Sequence, residues 1–211
     1  MSKAPWWQRP DLNYRGGRLH FGSEDLEALG RSMGTPSFVY HLPRVLEKLE
    51  ALHQALDKCG QPHTVFYALK ANRHPALLSS LRLVGRCGID VCSPNELRLA
   101  RQSGFRADEI TYTGTSVANA DLDLIAGLPD MSINCDSLSS LRRLGERAPG
   151  RVIGLRVNPQ LSASHLKHIS YAGEQATKFG IYPDQLDEAI AIAQQYDMPI
   201  ETLHFHAASG Y

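Results

Sequence analysis

Short apolar runs alternate with amphipathic segments from Thr64 onward, and this alternation restricts the fold more than any other feature of the chain. Strand-like runs are expected at residues 64–69, 88–92, 109–113, 131–135, 151–158 and 200–207. Helix-like segments follow at about residues 74–84, 94–103, 118–126, 137–148 and 183–195. Short connections between alternating strands and helices favour parallel strands joined by crossover helices.

Two α/β architectures fit this order, an open doubly wound sheet and a (β/α)8 barrel of the TIM type. No Gly-x-Gly-x-x-Gly turn follows the first strand, as a dinucleotide site would require. Polar or reactive residues instead occur near the C-terminal ends of several strands, namely Lys70, Asp90, Asn134, Arg156, Asn158, His204 and His206. Barrel active sites draw residues from many strands at that end, so the barrel is the expected fold.

The strand count is too low for a closed barrel, which needs about eight strands. The chain stops just after the sixth strand, at Tyr211. We therefore expect an incomplete barrel over residues 43–211, with about six of its eight strands. Residues 1–42 are expected to form an N-terminal arm and a helix. That helix would begin at Ser23 and end near Gly34, and a strand is predicted at Ser37–Tyr40.

The composition excludes several classes of protein. The 22 basic and 22 acidic residues balance, so nucleic acid is not an expected partner. No apolar run approaches the roughly 20 residues that a membrane span needs, and the first residues lack a secretory core, so a cytoplasmic protein is expected. The four cysteines show no C-x-x-C spacing, which argues against a zinc or disulfide scaffold.

The run Thr64–Asn72 places a lysine on an apolar strand. Alternation puts Phe66, Ala68 and Lys70 on one face, so the ammonium of Lys70 would lie among apolar groups. A buried lysine is costly unless it is paired, shifted in pKa or used covalently. The alternative is that its stem packs and its charged head reaches water at the strand end.

Five ordered motifs then carry a resemblance. They are Tyr67-Ala-Leu-Lys-Ala-Asn72, Gly88-Ile-Asp-Val-Cys-Ser-Pro-Asn-Glu-Leu97, Leu155-Arg-Val-Asn-Pro159, Lys178-Phe-Gly-Ile181 and His204-Phe-His-Ala-Ala-Ser-Gly210. From about Gly34 to its last residue the chain resembles the alanine-racemase-like, fold type III enzymes that use pyridoxal 5'-phosphate. It is most similar to their diaminopimelate and ornithine decarboxylase branch.

The resemblance implies a cofactor anchored by Lys70 through a Schiff base, because only a primary amine forms that bond. Asp90 would lie near this lysine; the alternative is that it forms a turn at the strand end. Glu96 would pair with Arg156; the alternative is that it caps a helix. Asn72 and Lys178 would support the site.

The same resemblance implies that His206 stacks on the pyridine ring of the cofactor. Ser209 and Gly210 would begin the phosphate cradle, in a loop where this chain has Ala208 in place of the usual glycine. His204 and His206 are two residues apart on a strand, a spacing that suits a metal, but no third ligand is placed by the sequence, so no metal is expected. Residues 158–180 would form a lid or a solvated loop, and their pattern resembles the diaminopimelate branch more than the eukaryotic ornithine branch.

The implied function is decarboxylation of an amino acid, with an amino-acid racemase or a non-catalytic cofactor-binding protein as the alternatives. Diaminopimelate, ornithine, lysine, a carboxy-polyamine and a carrier-bound amino acid all remain open as substrates. The resemblance further implies a homodimer with a shared active site and a C-terminal β domain beyond this chain. Residues 1–211 expressed alone are expected to be inactive.

Overall fold

The computed structural model describes residues 5, 7–160 and 177–206. They form two compact units, divided between His63 and Thr64. The boundary inferred from the sequence lies between residues 42 and 43. The first unit of the structure therefore includes residues 43–63, which contain most of the helix Leu42–Asp57.

The first unit holds a small antiparallel sheet and two helices. The sheet has the order β1, β2, β3, and the elements are β1 Leu12–Arg15, β2 Arg18–Phe21, β3 Glu24–Asp25, α1 Leu26–Met33 and α2 Leu42–Asp57. Helix α1 is capped by Asp25, which accepts hydrogen bonds from the backbone N–H groups of Glu27 and Ala28 at 2.9 and 3.0 Å. The sequence assigned this start to Ser23, two residues too early, because a carboxylate and a hydroxyl are both good caps.

The strand predicted at Ser37–Tyr40 is wrong. These residues belong to no strand in the described part of the chain, and Phe38 is 89% exposed. Aromatic and β-branched residues favour a strand only when a neighbouring strand offers hydrogen bonds and packing, and no described strand pairs with this segment.

The second unit is built on six parallel strands that lie side by side in chain order. They are β4 Phe66–Ala68, β5 Gly88–Val91, β6 Ile110–Tyr112, β7 Ser132–Cys135, β8 Ile153–Arg156 and β9 Ile200–His204. The connecting helices are α3 Pro75–Val84, α4 Pro94–Gln102, α5 Asn119–Ala126, α6 Leu138–Gly145 and α7 Leu186–Gln195. This confirms the predicted α/β fold and its order of elements, with each strand shorter than expected by one to four residues.

One face of the six-stranded sheet carries the apolar core. Ile89, Ile110, Ile133 and Leu155 have exposures between 0% and 4%, and register pairs place them on the face covered by helices. The opposite face corresponds to a barrel interior and is largely polar. Because the side chains alternate along each strand, the same register that buries the isoleucines directs Asp90 and Arg156 to the polar face.

Candidate functional site

The carboxyl ends of the six parallel strands meet along one edge of the sheet, which we call the rim. Asp90 is paired in register with Ala68, two residues before Lys70, and Arg156 is paired with His204. Register partners in a parallel sheet point to the same face, so Asp90, Arg156 and His204 lie on the polar side of the rim. Lys70 lies close enough for its charge to act on Asp90. The predicted gathering of polar residues from several strands is thus present for Lys70, Asp90, Arg156 and His204.

Lys70 lies just beyond strand β4 rather than on it. The strand ends at Ala68, and Lys70 is the middle residue of a 3-10 turn at Leu69–Ala71. Its side chain is exposed, whereas Leu69 is fully buried. The expectation of an ammonium buried among apolar groups is therefore wrong, because the turn carries the side chain out of the strand and into the open rim. The primary amine is accessible to a ligand.

Asn72 shapes the turn that follows Lys70. Its side-chain oxygen accepts a hydrogen bond from the backbone N–H of His74 at 2.9 Å, and its backbone oxygen accepts one from the hydroxyl of Tyr67 at 3.3 Å. His74 in turn caps helix α3, with its Nδ1 accepting from Ala76 at 3.3 Å. Asn72 thereby fixes the backbone on the C-terminal side of Lys70.

Asp90 is half-buried on β5 beside the lysine turn. Burial raises the pKa of its carboxyl, while the positive charges of Lys70 and Arg156 act to lower that pKa. No direct ion pair joins Asp90 to either cation in the described part of the chain. The carboxylate therefore acts on Lys70 and Arg156 through space and keeps its oxygens available.

Glu96 is a helix cap in this structure. It is only 6% exposed, and its carboxylate accepts hydrogen bonds from the backbone N–H of Cys92 at 2.9 Å and from the Cys92 thiol at 3.2 Å. The hydroxyl of Ser93 accepts from the Glu96 backbone at 3.3 Å, which completes the cap of α4. Both residues are described, and no direct ion pair joins Glu96 to Arg156, so the geometry matches the capping alternative.

Arg156 ends strand β8 and rests on an aromatic ring. Its guanidinium carbon lies 4.6 Å from the centre of the Phe179 ring, and the Lys178 ammonium lies 5.2 Å from the same centre. Burial lowers the pKa of Arg156, while Asp136 and Asp90 act to raise it. Arg156 remains a cation at neutral pH, since the pKa of an arginine is normally far above 7.

Asn158 fastens the segment that carries Phe179 to the end of β8. Its side chain is almost completely buried, at 2% exposure. The side-chain N–H groups donate to the Phe179 carbonyl at 3.0 Å and to the Thr177 hydroxyl at 3.1 Å, and the side-chain oxygen accepts from the Gln160 backbone at 3.0 Å. We call this set of three hydrogen bonds the Asn158 clasp.

Two histidines come at the end of the last strand, His204 on β9 and His206 two residues beyond it. Burial first, and then the positive charge of Arg156, lower the pKa of His204 to about 4. The pKa of His206 is lowered as well, first by burial and then by Arg156 and Lys70. Both imidazoles are therefore neutral at pH 7, the form suited to stacking on a ring or accepting a proton.

Asp136 and Thr115 belong to the rim and were missed by the sequence analysis. Asp136 follows strand β7 directly, is 3% exposed, and accepts a hydrogen bond of 2.6 Å from the Thr115 hydroxyl. Burial raises the pKa of Asp136, while the Thr115 hydrogen bond and Arg156 act to lower it. Its position immediately after a buried strand was the available signal, the same one that identified the other rim residues.

Asn134 lies within β7 rather than at the rim. It is 5% exposed and donates to the hydroxyls of Thr113 at 2.9 Å and Thr111 at 3.4 Å. Its side-chain oxygen lies where a Cβ on Gly154 would approach to 2.3 Å, so the neighbouring strand requires glycine at that position. Asn134 therefore forms part of a polar layer beneath the rim.

Some predicted site residues lie outside the part of the chain that the structure describes. These are Ser209 and Gly210, together with Ala208 and most of the long loop between Asn158 and Gly180. Within the described ranges, no group of three or more His, Cys, Asp and Glu side chains could hold a metal ion. No helix in those ranges has the length and apolar character needed to cross a membrane.

The rim residues fit pyridoxal 5'-phosphate by their chemistry. Lys70 offers an accessible primary amine for an aldehyde, Arg156 offers a cation without a direct ion pair in the described residues, and His206 offers a neutral ring. Asp90 adds a carboxylate beside the amine. A parallel sheet that presents amine, cation, carboxylate and imidazole at one rim offers the groups that an anionic aldehyde cofactor requires.

Comparison with known proteins identifies the class. Residues 43–211 match the pyridoxal binding domain of the pyridoxal-dependent decarboxylases, and this match covers most of the chain. The chain therefore belongs to that family, which confirms the resemblance inferred from the five motifs and the cofactor that it implied.

Diaminopimelate decarboxylases are among the relatives that match the chain. The chain is 36% identical to the enzyme of Methanothermobacter thermautotrophicus over 95% of its own length and 47% of that protein. It is 32% identical to the enzyme of Pseudomonas fluorescens, over 94% of the chain and 48% of that protein. A crystal structure of a diaminopimelate decarboxylase superposes with a TM-score of 0.77 at 28% identity, over 88% of this chain and 42% of that one. The chain thus spans about half the length of these relatives.

Proposed function

We propose that the full-length protein is a pyridoxal 5'-phosphate-dependent decarboxylase that acts on diaminopimelate. The observation that carries the proposal is the gathering of Lys70, Asp90, Arg156 and His204 at one rim, in a chain that belongs to the pyridoxal-dependent decarboxylases. Diaminopimelate is proposed as the substrate because the relatives named above are diaminopimelate decarboxylases.

When bound, the cofactor supplies an aldehyde for amino groups and a ring that accepts the electrons released as a carboxyl group leaves. Lys70 would hold the cofactor and exchange with the substrate amine. Asp90 would steady the charge of Lys70, and Arg156 would face an anionic group of the bound ligand. His206 would stack on the cofactor ring, and Ser209 with Gly210 would contact its phosphate; Asn72, Glu96 and Lys178 would support the site.

Lys70→Ala tests the anchor. The wild type is expected to show the visible absorbance of a lysine-bound cofactor, and Lys70→Ala is expected to lose both that band and turnover. Borohydride followed by peptide mass spectrometry should locate the cofactor on Lys70. Lys48→Ala, on an exposed lysine of α2, is the matched control and should keep band and turnover. Retention of the band in Lys70→Ala would refute the assignment.

A panel of amino acids tests the reaction and the substrate. Release of carbon dioxide is expected to be fastest with diaminopimelate, compared with ornithine, lysine and a carboxy-polyamine. Exchange of the Cα proton without carbon dioxide release would instead establish a racemase, and cofactor absorbance without either reaction would establish a binding protein.

A homodimer with a shared active site also remains a prediction, which sedimentation of the full-length protein would test. A cytoplasmic location remains a prediction as well, and cell fractionation would test it.

A further inference from the structure

Two cations lie close to the Phe179 ring at the rim. The Arg156 guanidinium is 4.6 Å from the ring centre and the Lys178 ammonium is 5.2 Å from it. Arg156 is half-buried whereas Lys178 is exposed. An aromatic face attracts a cation more strongly when water is excluded, so the contact with Arg156 is the stronger of the two. A guanidinium is also planar, which allows it to stack on the ring as an ammonium cannot.

The backbone around Phe179 is fixed to strand β8 on both sides of the ring. The Ile181 N–H donates to the Arg156 carbonyl at 2.7 Å, and the Asn158 N–H donates to the Ile181 carbonyl at 2.8 Å. On the N-terminal side the Asn158 side chain donates to the Thr177 hydroxyl, and it also donates to the Phe179 carbonyl. The ring is thus carried by a segment tied to the same strand that presents Arg156, which gives it a defined place beneath the guanidinium.

Gly180 makes this close approach possible. It has a φ of +81°, and a Cβ at this position would lie 2.8 Å from the Asn158 nitrogen and 3.1 Å from the Val157 carbonyl carbon. Any larger residue would push the segment away from β8 and carry the Phe179 ring with it. The Asn158 clasp and Gly180 therefore keep the Phe179 ring next to the Arg156 side chain.

The charged groups around Arg156 do not fix the orientation of its guanidinium, so the Phe179 ring can determine it. Asp136 and Asp90 both attract the guanidinium, yet neither forms a direct ion pair with it in the described residues. His204 is its register partner on the neighbouring strand and is neutral at pH 7. No described carboxylate fixes the guanidinium plane. Among the residues that the structure describes, the Phe179 ring makes a side-chain contact of defined geometry with it.

We propose that Phe179 is a positioning residue for Arg156. Its ring holds the guanidinium flat at the rim, with its N–H edge directed at an anionic oxygen of the bound ligand, either the cofactor phosphate or the substrate carboxylate. For its catalytic consequence this inference rests on the proposed function, but the contact between Phe179 and Arg156 can be tested without it.

The contact itself is measured by a double-mutant cycle in urea unfolding of the full-length protein. The variants are Phe179→Leu, Arg156→Met and the double variant. We expect the double variant to be more stable than the sum of the single effects predicts, by a coupling equal to about a 3-fold to 30-fold change in the unfolding constant. Additive effects would overturn the proposal.

Ring electronics separate stacking from simple packing. Replacement of Phe179 by 3,4,5-trifluorophenylalanine keeps the shape of the ring but weakens the negative face that attracts a cation. We expect the dissociation constant of pyridoxal phosphate to rise by about 3-fold or more in this variant and to stay within about 2-fold of wild type in Phe179→Tyr. An unchanged affinity and an unchanged KM in the fluorinated variant would refute the proposal. These variants keep the ring, so they serve even where Phe179→Leu does not fold.

The source of the anion follows from two titrations with the fluorinated variant. Weaker binding of pyridoxal phosphate with unchanged binding of pyridoxal, which lacks the phosphate, would assign the phosphate. A higher KM for the amino acid with unchanged kcat and cofactor affinity would assign the substrate carboxylate. If the wild type binds no pyridoxal phosphate at all, the proposed function fails, whereas the coupling of Phe179 and Arg156 in unfolding would still stand.

Discussion

Arg156 and His204 are register partners on neighbouring parallel strands, and both side chains face the rim. A permanent cation thus lies beside an imidazole that is partly withdrawn from water. Both the burial and the positive charge disfavour a second positive charge at this place, which explains why His204 titrates far below an ordinary histidine. The pairing couples the stability of the protein to pH.

We predict that His204 makes the protein less stable at acidic pH. Because its pKa falls from 6.5 to about 4 on folding, the unfolded chain binds more protons between these values. Stability from the neutral imidazole is complete above pH 6.5 and is lost as the pH falls toward 4. We expect the free energy of unfolding in urea to drop by about 1–2 kcal/mol from this group, after allowance for its partial exposure. In His204→Gln this part of the pH dependence should disappear; an identical slope would contradict the prediction.

Arg151 is predicted to be a major contributor to stability. It is 7% exposed and donates to the carbonyls of Ile125, Leu128 and Met131 at 2.7, 2.8 and 2.7 Å. Arg151→Met would leave buried carbonyls without donors, so we expect a loss of about 2–4 kcal/mol in the free energy of unfolding. The matched control is Arg142→Met, on an exposed arginine, which should change stability by about 0.5 kcal/mol or less. Equal effects of the two substitutions would show that the three carbonyl contacts are not significant.

Gly180→Ala is predicted to destabilise the protein through a steric clash. The added methyl would meet the backbone of Val157 and Asn158, so we expect a loss of about 3 kcal/mol. Gly150 is a matched control, because its φ of +78° is similar but nothing lies within 4 Å of its Cβ position. Gly150→Ala should therefore lower the free energy of unfolding only by the cost of a positive φ for alanine, about 1 kcal/mol. Similar losses in urea unfolding would mean that the segment can move away from β8.

The order of elements in the second unit was predictable because it depends on local patterns. Apolar runs such as that of β5 end at polar residues, and cap residues such as Ser93 begin the helices. The role of Glu96 was ambiguous for the same reason, since an acid at this helix position can either cap the helix or pair with a residue distant in the sequence. The structure shows the cap, which needs only residues four positions away.

The contacts that define the rim were not predictable from spacing. Phe179 reaches Arg156 only because Ile181 forms a bridge with Val157, across 24 positions of sequence. The hydrogen bond from Thr115 to Asp136 likewise joins residues 21 positions apart in the sequence. The true end of β4 at Ala68 also depends on a 3-10 turn that strand alternation cannot reveal, and this turn decides whether Lys70 is buried or accessible.

The Asn158 clasp joins the two ends of an interior stretch of the chain. One amide group holds Gln160 on one side and Thr177 on the other, so the residues that border positions 161–176 are kept close together by the folded barrel. Doubling the length of a stretch with fixed ends adds only about 0.6 kcal/mol of closure entropy. The clasp therefore makes this position a natural place for insertion or exchange of sequence, where new recognition elements can be added while strand β8 and Arg156 stay in place.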